Sequence, residues 1–253
     1  EITYRTCPAR IMVFTGGACT SGPGMVVGTD LAQPIRSHSD IQKNNAPFYS
    51  KAKKYYDSLA LRARDNGHVI DLFAASLDQL GLAEMKVCLE KSGGCMVLDD
   101  SFARGVFNGS FTSIFKRDVD DYLSMGFSAE MQILTSNEFK VCGAIGQVSS
   151  LERKHNCVSD TEIGIGNTCA WKLGGIDTNN SIALFFEIVN RQAEVIKEGH
   201  QAYLQICTKY KYSNGRTHLR VTTIAKTFAD PADEVKGKTY IRAGYDQECA
   251  AVI

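Results

Sequence analysis

The chain is 253 residues long, with 44% apolar and 22% charged residues, which suits a globular protein of one large domain or two ordinary ones. Twenty-eight basic and 28 acidic residues cancel, so any electrostatic function has to come from local clustering. No apolar run approaches a membrane span, residues 1–20 do not read as a signal peptide, and nine cysteines without a C-x-x-C pair read as reduced, mostly buried thiols of a cytosolic protein.

Residues 1–116 alternate strand and helix. Ile11 to Phe14 is a short, continuously apolar strand of the parallel type. It runs into a glycine-rich loop, Thr15 to Gly24. Gly17 and Gly22 have the spacing of a phosphate-binding loop, but Pro23 and Gly24 stand where Lys and Ser or Thr are required. The dinucleotide pattern fails too, because Val27 occupies the place of its third glycine, and Pro34 interrupts any prompt helix. After Pro47, the spacing of Phe48, Ala52, Tyr55, Tyr56, Leu59 and Ala63 predicts a helix that Asn66-Gly67 stops. Val69 to Ala75 is the next strand, Leu80 to Glu90 a second helix ended by Gly93-Gly94, and Cys95 to Leu98 a third strand. Ser101 is expected to cap a helix reaching about Phe115. The order β-α-β-α-β-α belongs to an open parallel sheet with helices on its faces.

The texture changes near residue 117. Residues 124–146 alternate with a period of two around a Ser136-Asn137 turn, and Ser181 to Asn190 and Gln201 to Tyr212 are further strands. Ser213-Asn214-Gly215 turns the last of these into Thr217 to Phe228, a strong hairpin signal. Such strands at short spacing predict an antiparallel sandwich or barrel. From Asp230-Pro231 the pattern becomes helical and stops at Ile253 in mid-run, so the chain is expected to be an incomplete piece.

Enzymatic signals are weak. Five histidines form no H-x-x-x-H pair, and no G-x-S-x-G elbow occurs. Asp99 and Asp100 end a parallel strand, where such sheets place ligands, although an Asp or Ser capping the next helix is the more ordinary reading. Asp71, inside a strand, reads as partly buried and engaged in a structural hydrogen bond to a partner the sequence does not name. His155, Cys157 and Cys169 lack the spacing of a zinc finger. Two basic clusters remain: Lys43, Lys51, Lys53, Lys54, Arg62 and Arg64 against Asp57 alone, and Lys209, Lys211, Arg216, Arg220 and Lys226 with no acid between residues 201 and 229. The second is the less ordinary, and fits an anionic lipid surface or a nucleic acid.

The stretches ARIMVFTGGACTSGPGMVVG, PIRSHSDIQKNNAPFYSKA, NGHVIDLFAASLDQLGLAEMK, MVLDDSF, GNTCAWKLGGI, LRVTTIAKTFAD and YDQECAAVI resemble the GTPase-activating subunit of the inner COPII coat, the Sec-twenty-three family. The similarity runs in order from about Cys7 to the last residue. It implies an α/β plus all-β chain: the second half of a von Willebrand A-like trunk (1–116), most of a β-sandwich (117–229) and the start of a helical domain (230–253). The family's zinc finger, with its structural zinc, and its gelsolin-like module fall outside this sequence, so no cofactor is implied for this segment. The implied partners are a small Sar-type GTPase in its GTP form, the cargo-binding sister subunit, the outer-coat subunit and, peripherally, the anionic cytoplasmic surface of endoplasmic reticulum exit sites and vesicles.

On this reading the loop at 15–24 is a protein surface. Where metal-binding A domains usually carry Thr-Asp-Gly, this chain has Thr15-Gly16-Gly17, which removes an oxygen ligand from a hard-cation site. Its glycines are expected to serve turns with positive φ. The resemblance also implies that the full-length protein accelerates GTP hydrolysis, with the catalytic arginine beyond residue 253, so this segment is expected to carry no catalytic group. Lys209, Lys211, Arg216, Arg220 and Lys226 are the candidates for a membrane-facing surface, and Gly22, Asp99 and Phe102 for protein contacts. A nucleic-acid-binding module using the hairpin 201–226, with Tyr203, Tyr210 and Tyr212 as stacking platforms, is the alternative.

Overall fold

A computed structural model describes residues 7–30, 36–189 and 201–227. The helix expected from residue 230 onward lies outside the described residues. The first unit contains β1 (Ala9–Thr15), α1 (His38–Gln42), α2 (Tyr49–Asp65), β2 (His68–Ala75), α3 (Leu82–Ser92), β3 (Met96–Asp99) and α4 (Gly105–Ile114). β1, β2 and β3 form a parallel sheet in that order, with Val13 beside Leu72 and Leu72 beside Met96.

β2 is central, which explains its almost continuous burial. On one sheet face, Ile70 packs against Ala60 and Ala63 of α2 and Cys88 of α3. On the other, Phe73 meets Phe107 and Phe111 of α4 edge-on, at 5.9 and 5.3 Å between ring centres. Asp71 also points to this second face and is fully buried. Arg10 grips it with two hydrogen bonds, Nε to Oδ2 at 2.8 Å and Nη2 to Oδ1 at 2.6 Å, while the Cys95 amide donates to Oδ1 at 2.9 Å. Burial opposes the charge on Arg10, yet Asp71 outweighs it and leaves the guanidinium pKa raised. The same surroundings push the Cys95 thiol up to about 12, chiefly by burial. The sheet therefore holds its one buried carboxylate by a forked ion pair.

The second unit is a sandwich. It contains β4 (Met125–Thr135), β5 (Phe139–Gly146), β6 (Ser149–Ser150), β7 (Ile165–Gly166), β8 (Ala170–Asp177), β9 (Ile182–Ile188), β10 (Gln201–Tyr212) and β11 (Thr217–Thr227). One sheet has the order β11-β10-β4-β8-β6 and the other β7-β5-β9. Met131, Ile133, Val141, Ala144, Trp171 and Leu173 form the shared core. Trp171 is completely buried, and its indole N–H donates to the Ile165 carbonyl at 2.8 Å.

The two units meet backbone to backbone. Gly93 ends α3 with φ +74°, and its amide donates to the Leu89 carbonyl at 2.9 Å. A Cβ on Gly93 would lie 2.2 Å from the Gly175 carbonyl oxygen, and one on Gly174 would lie 2.2 Å from that of Ser92. Two diglycines thus let α3 and β8 touch without side chains between them.

Most elements match their sequence expectation within a few residues; α1, the start of α4, β8 and the two-residue strands β6 and β7 do not. α1, with Ser37 and Asp40 forming a capping box, was not anticipated. Ser101 does not cap α4: its Oγ accepts from the Ala103 amide in a preceding turn, and Arg104 is the residue at the helix boundary. β8 lies at the heart of the larger sheet and was not recognised as a strand.

Candidate interaction surfaces

The carboxyl ends of the parallel strands form the edge where open α/β sheets place ligands. Here they present Thr15, Ala75 and Asp99. The Thr15 hydroxyl donates to the Gly17 carbonyl at 2.8 Å, closing the turn upon itself. Asp99 Oδ1 accepts from the Asp100 amide at 2.8 Å, and the Asp99 carbonyl accepts from the Ser76 amide at 3.1 Å. Asp100 is engaged by Arg104 at 2.6 Å. Among the described residues no group of three or more His, Cys, Asp or Glu is arranged to hold a metal ion.

The glycine loop is packed down. Val26 and Val27 are buried beneath it, and the Tyr56 hydroxyl of α2 donates to the Gly24 carbonyl at 3.1 Å. Burial raises the Tyr56 pKa to about 12, so this donor stays protonated across the physiological range. The expectation of positive φ needs correcting: among Gly16, Gly17, Gly22 and Gly24 only Gly22 has one, at +78°. Gly24 answers a different need, because a Cβ there would sit 2.7 Å from the Tyr56 hydroxyl oxygen.

The three protein-contact candidates do not converge. The loop carrying Gly22 is tied to α2, on one sheet face. Phe102 stands on the opposite face, edge-on to Phe14 at 6.1 Å and to Phe107 at 5.0 Å. Phe14, Phe102, Val106 and Phe115 leave apolar surface exposed around α4.

The basic hairpin is likewise divided. β10 and β11 pair in a continuous register, from Gln201 beside Thr227 to Lys211 beside Thr217. Even-numbered residues share the face on which Leu204, Ile206 and Tyr210 pack against the sandwich core. Arg220 and Lys226 lie on that face, beyond the cover of the three-stranded sheet, and Arg216 follows the turn. Lys209 and Lys211 lie on the other face, near exposed Leu219 and Val221, and Lys209 stands opposite Glu130 of β4.

The tyrosines do not form one stacking track. Tyr210 and Tyr212 contact His218 at 5.5 Å each, whereas Tyr203 is on the opposite face. Tyr212 donates to Asp118 Oδ2 at 2.5 Å, a bond that lowers the Asp118 pKa and raises that of Tyr212.

At one end of the sandwich a pocket of about 370 Å³ is lined by Thr135, Lys140, His155 and Cys157, among others. The spacing that failed as a zinc finger does bring His155 Nδ1 within 3.2 Å of Cys157 Sγ. Burial, and next the nearby Cys169 thiol, raise the Cys157 pKa, which keeps it a neutral, poorly nucleophilic thiol.

Two family profiles cover the chain in succession: the Sec23/Sec24 trunk domain over residues 1–123 and the Sec23/Sec24 beta-sandwich domain over residues 126–229. Among solved structures, the human COPII-coat protein Sec24c matches 87% of this chain with a TM-score of 0.57 at 20% identity. The chain spans only 26% of that protein's length, and at such identity the likeness concerns the fold.

Proposed function

The chain belongs to the Sec23/Sec24 family, and from that premise we propose that it is a structural part of the COPII inner coat, of the GTPase-activating rather than the cargo-binding type. The family assignment covers both types. The finer choice is carried by one observation, the long motifs from ARIMVFTGGACTSGPGMVVG to YDQECAAVI, which resemble the GTPase-activating subunit throughout. In this reading the first unit carries contacts to a small Sar-type GTPase and to the sister subunit. Exposed Phe14, Phe102 and Val106 supply apolar contact area there, and Gly22 and Asp99 border the loops at the strand ends.

The segment binds and positions; it does not supply the hydrolytic group. An arginine finger accelerates such hydrolysis by roughly a thousand- to a hundred-thousandfold, so its presence or absence is easily read. Arg10 is committed to Asp71, Arg36 to Glu84 and Arg104 to Asp100. On the membrane side, the protein is peripheral, with Lys209 and Lys211 as its basic contacts. No helix among the described residues is long and apolar enough to cross a bilayer.

The deciding experiment is a pull-down of the full-length protein with the Sar-type GTPase loaded with a non-hydrolysable GTP analogue or with GDP. Strong preference for the GTP state supports the GTPase-activating type. Nucleotide-independent failure to bind, with capture of cargo peptides instead, would reassign the chain to the sister type.

A further inference from the structure

Cys157 and Cys169 lie against one another at the end of the sandwich, each buried and each a free thiol. They are tied to different sheets. The Cys157 carbonyl accepts from the Val141 amide of β5 at 2.7 Å, and the Cys169 carbonyl accepts from the Ile133 amide of β4 at 2.8 Å. The Cys157 thiol reaches the Ile133 carbonyl at 3.7 Å and interacts with the Cys169 thiol, which itself donates to the Arg153 carbonyl at 3.6 Å. A bond between the two sulfurs would staple one sheet to the other.

His155 supplies a base beside the pair. Its Nδ1 accepts from the Cys157 amide at 3.3 Å, so that nitrogen carries a lone pair and the ring proton sits on Nε2. The same Nδ1 lies 3.2 Å from Cys157 Sγ, placed to take the thiol proton. At rest burial keeps this thiol neutral, so reaction waits on that transfer. His155 and Cys157 also line the pocket of about 370 Å³, which has room for a reagent little larger than water. A metal ion is the weaker reading, since among the described residues no group of three His, Cys, Asp or Glu is arranged to hold one.

We propose that Cys157 and Cys169 are a redox-sensitive pair that a hydroperoxide converts to a disulfide. With hydrogen peroxide, the Cys157 proton passes to His155 Nδ1 and the thiolate attacks one peroxide oxygen. The O–O bond breaks, sulfur keeps a hydroxyl as sulfenic acid, and the other oxygen leaves with a proton as water. The Cys169 sulfur then attacks that of Cys157. The S–S bond forms, the S–O bond breaks, and a second water leaves. Two thiols lose two electrons in all, and the peroxide gains them. The oxidised form closes the loop that carries β7, whose Ile165 carbonyl holds the Trp171 indole. The pair is interior to the sandwich, so the proposal depends neither on the subunit type nor on what covers the outer surface.

The test uses the full-length protein, treated with hydrogen peroxide, alkylated in denaturant and digested without reductant. Mass spectrometry should find a peptide joining Cys157 to Cys169 that dithiothreitol splits. Cys88 is the control: it is equally buried, but its thiol donates to the Tyr56 carbonyl at 3.4 Å and should stay reduced. Cys169→Ala should stop the reaction at a Cys157 sulfenic acid, captured by dimedone, whereas Cys157→Ala should leave Cys169 reduced. His155→Phe should slow disulfide formation about a hundredfold. Full alkylation of both Cys157 and Cys169 at a dose that oxidises exposed Cys7 would overturn the proposal, a result that needs no variant to fold. Cys157 joined to another cysteine in place of Cys169 would overturn it as well. An unchanged rate in His155→Phe would overturn the role given to His155.

Discussion

Replacing Gly174 by Ala should unlock the two units from each other. Gly174 has φ +74°, and its added Cβ would lie 2.2 Å from the carbonyl oxygen and 2.6 Å from the carbonyl carbon of Ser92. Left-handed backbone costs an L residue roughly 1–2 kcal/mol. The overlap is with backbone at the end of α3, so no side-chain rotation relieves it, and overpacking of this kind costs about 1–3 kcal/mol. Alanine returns about 0.4–1 kcal/mol by restricting the unfolded chain. The net loss is about 1–5 kcal/mol, centred near 3. Ser92 makes the damage local and legible: it is fully buried, and its hydroxyl accepts from the Ile70 amide at 3.0 Å. Hydrogen exchange read by mass spectrometry should then show peptides from α3 and β8 exchanging about a hundredfold faster. Gly109 is the internal control. It lies inside α4 with nothing within 4 Å of its Cβ direction and no positive φ, so Gly109→Ala should slow exchange in α4, by about two- to fivefold. Unchanged protection of α3 in the Gly174 variant would refute the backbone-contact argument.

Three further outcomes are expected. Arg10→Met strands the buried Asp71 carboxylate and should cost about 3–5 kcal/mol in thermal or denaturant melts, most of it recovered when Asp71→Leu is added. The Asp118 carboxyl should titrate below its ordinary 3.8 by NMR and return upward in Tyr212→Phe. Because its folded pKa is depressed, its contribution is present above 3.8 and fades as pH falls through the lowered value, while the raised Tyr212 hydroxyl keeps donating below 10 and stops as pH rises through its folded value. Lys209→Glu with Lys211→Glu should weaken recruitment to phosphatidylserine vesicles, since each cation near such a surface is worth about 1 kcal/mol, and the difference should shrink at high salt. Equal recruitment of both proteins at low salt would remove these lysines from the membrane contact.

The sequence showed most where local chemistry and tertiary demand agree. The spacing of Ala52, Tyr56, Leu59 and Ala63 marks α2, and these same residues face α3 and β2. Ser213-Asn214-Gly215 marks the hairpin turn, where Gly215 takes φ +82°. The misses have the opposite character. β8 carries Gly174-Gly175 inside a strand, which locally reads as a breaker; those glycines exist because a neighbouring helix end leaves no room for a Cβ. α4 begins later than the Ser101 signal because Ser101 and the Asp100–Arg104 ion pair shape a turn first. α1 is only five residues long, too short for periodicity, and only its Ser37–Asp40 capping box announces it.

The candidate surfaces were legible as residues but not as faces. Counted along the chain, Lys209, Lys211, Arg216, Arg220 and Lys226 make one basic cluster. The hairpin register pairs residues of equal parity, so odd and even members lie on opposite sides. A turn of three residues already fixes that parity, which means the division was available from the sequence once the turn was accepted. Its consequence bears on every partner considered for the hairpin. A flat anionic surface can lie against only one side of a sheet, and therefore meets either Lys209 and Lys211 or Arg220 and Lys226. Charge reversal on one side at a time therefore identifies which side meets a planar anionic partner, because only the pair on that side should matter.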